Sequence, residues 1–283
     1  MFASRATTLR AQRMVGRGEI EFTAPGRAPC AVAFHGFGGT ATDLRPILDR
    51  LAEANLAVDA TLMPGHGTMA TDLQEITFSR WIDAGRERAR RAAASHGSFV
   101  LVGFSLGSLV ALQLASEQPP GLAGLVVLGN ALTLAWYTGV PLRVLARVFG
   151  ERFPDAYMMK PRPADLVDRS AMDRVVTYDR HPLRAALEVY RAGEKVQAAI
   201  PRVVCPTLVL HGRRDSVCPW RNAVRLAERL GSTDVRVRIF ERSAHVLGCD
   251  GEREEVAREV VAFVSGLAVR SVPSSRTPPP PAR

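Results

Sequence analysis

A serine between two glycines, followed along the chain by an aspartate and a histidine, is the feature of this sequence that could do chemistry. Ser105 lies in GFSLG (103–107), with a glycine two residues before it and two residues after it. A serine hydroxyl is a weak nucleophile alone and needs a base that a carboxylate orients. The pattern therefore raises two readings, a nucleophile for acyl transfer or a tight turn that contains a serine.

The residues around Ser105 favour the nucleophile. SFVLVGFS (98–105) is typical of a buried strand, and LGSLVALQLASEQP (106–119) has a helical pattern. Strand, Gly-x-Ser-x-Gly and helix in this order is the context that makes the motif informative. Glycines at these spacings relieve clashes with neighbouring backbone in a sharp turn. We therefore predict that the strained turn holds Ser105 Oγ at the carboxyl end of the sheet.

The order of residues along the chain selects the partners of Ser105. In proteins that carry this motif on a strand-to-helix turn, the serine comes first, then the acid, then the histidine. Asp215 in HGRRDSVCP follows a predicted strand, and His245 is the one histidine of six that comes after both. Asp234 begins the last strand at the opposite end of the sheet, and Asp250 is predicted to be the N-cap of the final helix. The predicted catalytic set is thus Ser105, Asp215 and His245.

A glycine-rich turn supplies the remaining requirement, hydrogen-bond donors for an oxyanion. FHGFGGT (34–40) ends a predicted strand, and we expect the backbone N–H groups of Phe37 and Leu106 to form the oxyanion hole. A phosphate-cradling loop is excluded there because neither GxGxxG nor GK[ST] is present. His66 in LMPGHG (62–67) is predicted to shape its turn and not to take part in catalysis.

Alternating strands and helices must position these residues. Most of the apolar runs lack strict alternation, which is typical of parallel strands that are buried on both faces. The predicted strands lie in 30–36, 56–65, 98–105, 122–130, 206–212 and 235–240, and the predicted helices lie in 41–55, 78–97, 106–119, 220–231 and 251–266. The expected fold class is α/β, a doubly wound and mostly parallel sheet with a helical cap insertion.

The alternation divides the chain into five parts. We predict an N-terminal basic segment with an edge strand or hairpin (1–27), the first part of the core (28–130), a helical cap or lid (131–200), the second part of the core (201–267) and a disordered Pro-rich tail (268–283).

Apolar residues of the cap, with two valines of the core, are the predicted pocket for a substrate. The alternative for the cap residues is that they only pack the insertion onto the main domain. The predicted pocket residues are Trp136, Tyr137, Val140, Leu145, Met158, Val217 and Val246.

Composition limits the remaining function classes. The formal charge is +9, but much of the excess lies near the termini, and no basic stripe with interleaved aromatic residues indicates nucleic-acid binding. No apolar run reaches the length of a membrane span. The spacing of the four cysteines fits neither a CxxC pair nor a zinc site, and the N-terminus lacks the apolar stretch of a secretory signal, so we predict free thiols in a cytoplasmic location and no metal site.

Taken together, the motifs HGFGGT, PGHG, GFSLG, HGRRD and SAHV resemble the α/β-hydrolase superfamily over about residues 28 to 267. Within it they look like the bacterial carboxylesterases and monoacylglycerol lipases. The resemblance implies a serine hydrolase that cleaves short- or medium-chain esters or monoacylglycerols without a metal or cofactor. It implies the same roles for Ser105, Asp215, His245, Phe37 and Leu106, and a small-molecule ester with an apolar acyl group as substrate.

The resemblance leaves other uses of the same site open. An acyltransferase, thioesterase, amidase or C–C hydrolase would need the same three residues, and a non-catalytic binding protein on this fold is a third class. The insertion at 131–200 is longer and richer in Arg and Pro than the compact cap of those enzymes. The choice of substrate is therefore the open question.

Overall fold

The part of the chain that carries the predicted core is covered almost completely by the structure. The computed structural model describes residues 14–149, 156–160 and 162–270. The first thirteen residues of the predicted basic segment and residues 271–283 of the predicted tail lie outside the described residues.

Strands and helices follow one another much as the sequence pattern predicts. The strands are β1 (Met14–Val15), β2 (Phe22–Ala24), β3 (Arg27–Phe34), β4 (Leu56–Ala60), β5 (Phe99–Phe104), β6 (Leu122–Leu128), β7 (Tyr157–Met159), β8 (Thr177–Tyr178), β9 (Arg180–Pro182), β10 (Thr207–Gly212) and β11 (Val235–Phe240). The α-helices are α1 (Arg45–Glu53), α2 (Phe78–His96), α3 (Leu106–Ser116), α4 (Trp136–Phe149), α5 (Leu183–Val196), α6 (Arg221–Ala227) and α7 (Arg253–Arg270).

Among the described residues, the central sheet has seven strands in the order β11–β10–β6–β5–β3–β4–β2. Every neighbouring pair is parallel except β2 and β4, which are antiparallel at one edge. The chain builds the sheet outward from β3 in both directions. Because β5, β10 and β11 are parallel, their carboxyl ends lie at the same end of the sheet. The predicted doubly wound, mostly parallel sheet is confirmed.

Both faces of the sheet are covered by helices, which explains the near-continuous apolar strands. Val100 and Val102 of β5 share one core with residues of α1 and α7, such as Ile47. Leu101 points to the opposite face and packs in a second core with residues of α2 and α3, such as Trp81. Because successive side chains of a strand point to opposite faces, each strand must be apolar on both.

The segment between β6 and β10 differs in part from the prediction of helices and loops. It holds α4 and α5, but also three short strands outside the central sheet. β7 pairs with β9, and β8 pairs with β1 from the N-terminal region, both antiparallel. Strands of two or three residues are too short to leave a periodic pattern. Within the described ranges, no helix combines the length and apolar composition needed to cross a bilayer.

Candidate active site

Ser105 sits in a strained turn between β5 and α3. Its backbone has φ 53° and ψ −115°, a region that side-chain-bearing residues rarely adopt. A Cβ at position 103 would collide with the backbone of Gly107, and a Cβ at position 107 would collide with the carbonyl group of Phe34. Both glycines of the motif are therefore required by the close approach of backbone, as the sequence predicts.

The three residues that sequence order selects come together at this turn. His245 Nε2 lies 2.9 Å from Ser105 Oγ, and His245 Nδ1 lies 2.7 Å from Asp215 Oδ2. The Nδ1–H can donate to the carboxylate, which leaves Nε2 free to accept the serine proton. All three side chains are nearly or fully buried, Ser105 and His245 with 9% and 7% of their surface exposed.

Asp215 is held by more donors than the sequence indicates. Its Oδ1 accepts hydrogen bonds from the backbone N–H groups of Val217 and Cys218, at 2.8 and 2.7 Å. Its Oδ2 also accepts from His211 Nε2, at 2.9 Å. Burial alone would raise the pKa of Asp215, but the charges and hydrogen bonds of His245 and His211 outweigh burial and hold the pKa well below its usual value. The carboxyl is therefore ionised.

The hydrogen-bonded Asp215 changes the pKa of His245 in the opposite direction. Burial lowers the pKa of His245, but the charge and hydrogen bond of Asp215 outweigh it, and Asp165 and Asp43 add to the effect. The pKa of His245 is consequently raised above its ordinary value of 6.5. A stronger base accepts the serine proton more readily.

The backbone N–H groups of Phe37 and Leu106 have no hydrogen-bond acceptor among the described residues. The neighbours of Phe37 are engaged: Gly36 N donates to Asp43, and Gly38 N donates to His66 Nε2. Gly107 N, one residue past Leu106, donates to His35 O. The amides of Phe37 and Leu106, the predicted oxyanion hole, are thus available as donors, and Phe37 and Ser105 line the same cavity.

Two buried histidines hold the glycine-rich turn that carries Phe37. His66 Nε2 accepts from Gly38 N at 3.0 Å, while its Nδ1–H donates to Pro64 O. His35 Nε2 accepts from Met63 N at 3.1 Å. Burial lowers the pKa of His66 to about 4, so it is neutral and able to accept. His66 shapes both this turn and its own, which extends the role predicted for it.

A cavity of about 510 Å³ opens onto Ser105 and His245. Of the predicted pocket residues, it is lined by Tyr137, Met158, Val217 and Val246. Its walls also include residues of both core and cap, among them Phe37, Leu134, Leu142 and Val189. The cap therefore contributes directly to the space beside the serine.

The remaining predicted pocket residues lie elsewhere. Trp136 and Val140 line a separate pocket of about 260 Å³, and Leu145 lines neither. Trp136 is 78% exposed. Because residues at i and i+4 share a helix face, Trp136 and Val140 lie together on the outer face of α4, whereas Thr138 and Leu142 face the cavity.

Two acids that tie the cap to the site have no signal in the sequence. Asp165 Oδ2 accepts hydrogen bonds from Ser216 N at 2.9 Å and from His245 N at 3.2 Å. It thereby contacts the backbone of His245 and of the residue that follows Asp215. Asp250 accepts from Ala244 N and from the cap backbone, including Val167 N. The prediction that Asp250 is a helix N-cap is wrong, because α7 begins only at Arg253 and the carboxylate is engaged by these loops instead.

Comparison with known proteins identifies the family of this chain. The family model described as "Serine aminopeptidase, S33" matches residues 27–252. The chain belongs to the S33 family of α/β hydrolases. The resemblance stated from the motifs is thereby confirmed at the level of the superfamily.

Relatives of this S33 protein include lipases. A thermostable monoacylglycerol lipase of Bacillus sp. (strain H-257) is 25% identical over 229 residues, which cover 81% of this chain and 87% of that protein. The human monoglyceride lipase is 28% identical over 190 residues, 64% of this chain and 61% of that one.

Solved structures show the same fold. The structure described under "LipS and LipT, two metagenome-derived lipolytic enzymes" superposes with a TM-score of 0.80 at 24% identity, over 89% of this chain and 99% of that one. The Paleococcus ferrophilus monoacylglycerol lipase superposes with a TM-score of 0.72 at 21% identity, over 87% and 99%. The S33 protein is thus an α/β hydrolase that resembles monoacylglycerol lipases.

Proposed function

We propose that this protein is a serine hydrolase that cleaves carboxylic esters through an acyl-enzyme on Ser105. The observation that carries the proposal is the continuous hydrogen-bonded chain Ser105–His245–Asp215, with contacts of 2.9 and 2.7 Å. The names of the relatives support an ester as substrate, and short- or medium-chain esters and monoacylglycerols are the substrates we propose.

Ser105 attacks the ester carbonyl while His245 Nε2 accepts the hydroxyl proton. Negative charge then develops on the carbonyl oxygen, and the N–H groups of Phe37 and Leu106 donate to it. Asp215 holds Nδ1–H and stabilises the imidazolium that forms. His245 then returns the proton to the departing alcohol, which leaves an acyl group on Ser105 Oγ.

Water completes the cycle by the same route. His245 removes a proton from water, the hydroxide oxygen attacks the acyl carbonyl, and the same amides hold the oxyanion. The proton passes back to Ser105 as the acid leaves. We propose residues 131–200 as the lid over this site, because Tyr137, Met158 and Leu142 of that segment line the cavity beside Ser105.

The test compares the wild type with Ser105→Ala on p-nitrophenyl esters of increasing chain length. We expect hydrolysis by the wild type, and a loss of about 10⁶-fold in kcat for the variant, as for other serine hydrolases that lose the nucleophile. An alanine variant with the activity of the wild type would refute the proposal. The rate on a p-nitroanilide with the same acyl group separates ester cleavage from amide cleavage. Amide cleavage is the reaction that the name of the family indicates.

A further inference from the structure

One part of the cavity wall beside Ser105 is polar, although most of the wall is apolar. The polar side chains come from the core and from the cap, and they include Asp43, Lys160, Arg162, Asp165 and His181. A hydrocarbon chain would gain nothing from these groups, and it would remove them from water at a cost. The polar part of the wall therefore indicates a polar group in the ligand.

Lys160 has donors to spare. Its Nζ donates to Thr177 Oγ1 at 2.8 Å, and a protonated lysine amine carries three N–H donors. Within the described residues, neither Lys160 nor Arg162 forms an ion pair, so neither of these two cations of the cavity wall is in direct contact with a carboxylate there.

The two carboxylates of the wall are occupied by backbone groups. Asp43 Oδ2 accepts from Gly36 N at 3.1 Å, and Asp165 Oδ2 accepts from Ser216 N and His245 N. Their hydrogen bonds serve the turns that carry the catalytic groups. Lys160 and Arg162 are the positively charged donors that the wall offers to a ligand.

The charge on Lys160 is incompletely compensated by the protein. Burial lowers the pKa of Lys160 to about 8, although the charges of Asp43 and Asp179 oppose this. His181, whose ring stacks on Phe37 at 4.3 Å, is neutral and leaves the charge of Lys160 unchanged, because burial and the charge of Lys160 lower its pKa well below 6.5. An anion placed beside the amine would supply the missing compensation.

We propose that Lys160, assisted by Arg162, binds a carboxylate carried by the substrate at a distance from the scissile ester. The preferred substrates are then esters that bear a second, free carboxylate, such as monoesters of dicarboxylic acids. This inference rests on the proposed esterase function and specifies its substrate class. The uncharged hydroxyl groups of a monoacylglycerol are the alternative ligand of the same wall.

Two pairs of substrates of matched size test for the carboxylate. p-Nitrophenyl hydrogen adipate against p-nitrophenyl hexanoate places the charge on the acyl side. 4-Carboxyphenyl hexanoate against 4-carbamoylphenyl hexanoate places it on the alcohol side. We expect the wild type to prefer the charged member of at least one pair in kcat/KM, mainly through a lower KM.

Variants assign the preference to Lys160. Lys160→Met should lower kcat/KM on the charged substrate by about 10- to 100-fold, the typical effect of losing a hydrogen bond to a charged group, and should leave the neutral substrate within about threefold. Lys160→Arg should restore most of the preference. Arg143→Met removes a cation that lines the separate pocket, and it should change neither substrate.

The outcomes separate this inference from the proposed function. Hydrolysis of the neutral esters without preference for the charged member of either pair would overturn the carboxylate site and leave the esterase intact. An equal loss on both substrates in Lys160→Met would also overturn it, since that is the result of a purely structural lysine. Absence of hydrolysis of every ester by the wild type would overturn both.

Discussion

Replacing Asp215 by asparagine should disable the site while leaving its shape almost unchanged. Every acceptor position that Asp215 uses faces a donor: two backbone N–H groups at Oδ1, and His245 Nδ1 and His211 Nε2 at Oδ2. An asparagine that keeps its oxygen toward the backbone must turn its NH₂ group toward His245. The imidazole then has to accept at Nδ1 and carry its proton on Nε2, where it faces Ser105.

The wrong tautomer of His245 cannot take the serine proton. The corresponding aspartate-to-asparagine change in a serine protease lowers kcat by about 10⁴-fold. We expect a loss of the same order here, equivalent to about 5 kcal/mol of transition-state stabilisation. The loss should appear in kcat more than in KM, because Asp215 is fully buried and does not line the cavity.

The assay is the steady-state hydrolysis of p-nitrophenyl butyrate, with circular dichroism to verify that the variant is folded. Asp234→Asn is the matched control, because Asp234 lies just before β11, at the opposite end of the sheet from Ser105. We expect that control to stay within about twofold of the wild type. A folded Asp215→Asn enzyme with more than a tenth of the wild-type kcat would refute the assignment of Asp215 as the orienting acid.

Three further predictions follow from the same geometry. The value of kcat/KM should fall as pH is lowered through a midpoint above 6.5, because the pKa of His245 is raised and protonated His245 cannot act as a base. A profile that is flat between pH 5 and 8 would contradict this. Gly107→Ala should lower the free energy of unfolding in urea by about 1–3 kcal/mol, since the new Cβ meets the Phe34 carbonyl. The control Gly266→Ala, on an open face of α7, should leave the stability unchanged or raise it, and equal effects of the two changes would show that the turn tolerates a side chain. Met158→Trp should move the preferred acyl chain of p-nitrophenyl esters to shorter lengths by filling the cavity, and an unchanged chain-length profile would place the acyl group elsewhere.

Topology explains why the central residues could be predicted from the sequence. The strand-to-helix turn at Ser105 requires glycines at 103 and 107, and the requirement is visible as a motif. Because the strands are parallel, the loops after β5, β10 and β11 lie at the same end of the sheet. Asp215 and His245 follow two of those strands, so their order in the chain was enough to select them.

The cap was less predictable because α4 is apolar around most of its circumference. Its sequence WYTGVPLRVLARVF offers apolar residues toward both the cavity and the solvent. Periodicity alone does not choose between the face of Trp136 and Val140 and the face of Leu142. Packing against α5 makes that choice, and it depends on contacts between segments that are distant in the chain.

Polar contacts between the cap and the core leave no local signal. Asp165 binds the backbone of the loop that follows β10, some fifty residues later in the chain, and His211 reaches Asp215 only because the loop between them folds back. Lys160 directly follows the three-residue strand β7 and lines the cavity. Each of these roles depends on tertiary structure and not on spacing along one element.

Labelling with a fluorophosphonate tests the assignment of Ser105 as nucleophile most directly. The intact mass of the wild type should increase by a single phosphonyl group, and peptide mapping should place that group on Ser105. Ser105→Ala should remain unlabelled. Ser116→Ala, at the far end of the helix α3 that follows Ser105, should react at the rate of the wild type. Labelling of another residue in the wild type, or an unchanged rate in Ser105→Ala, would contradict the account.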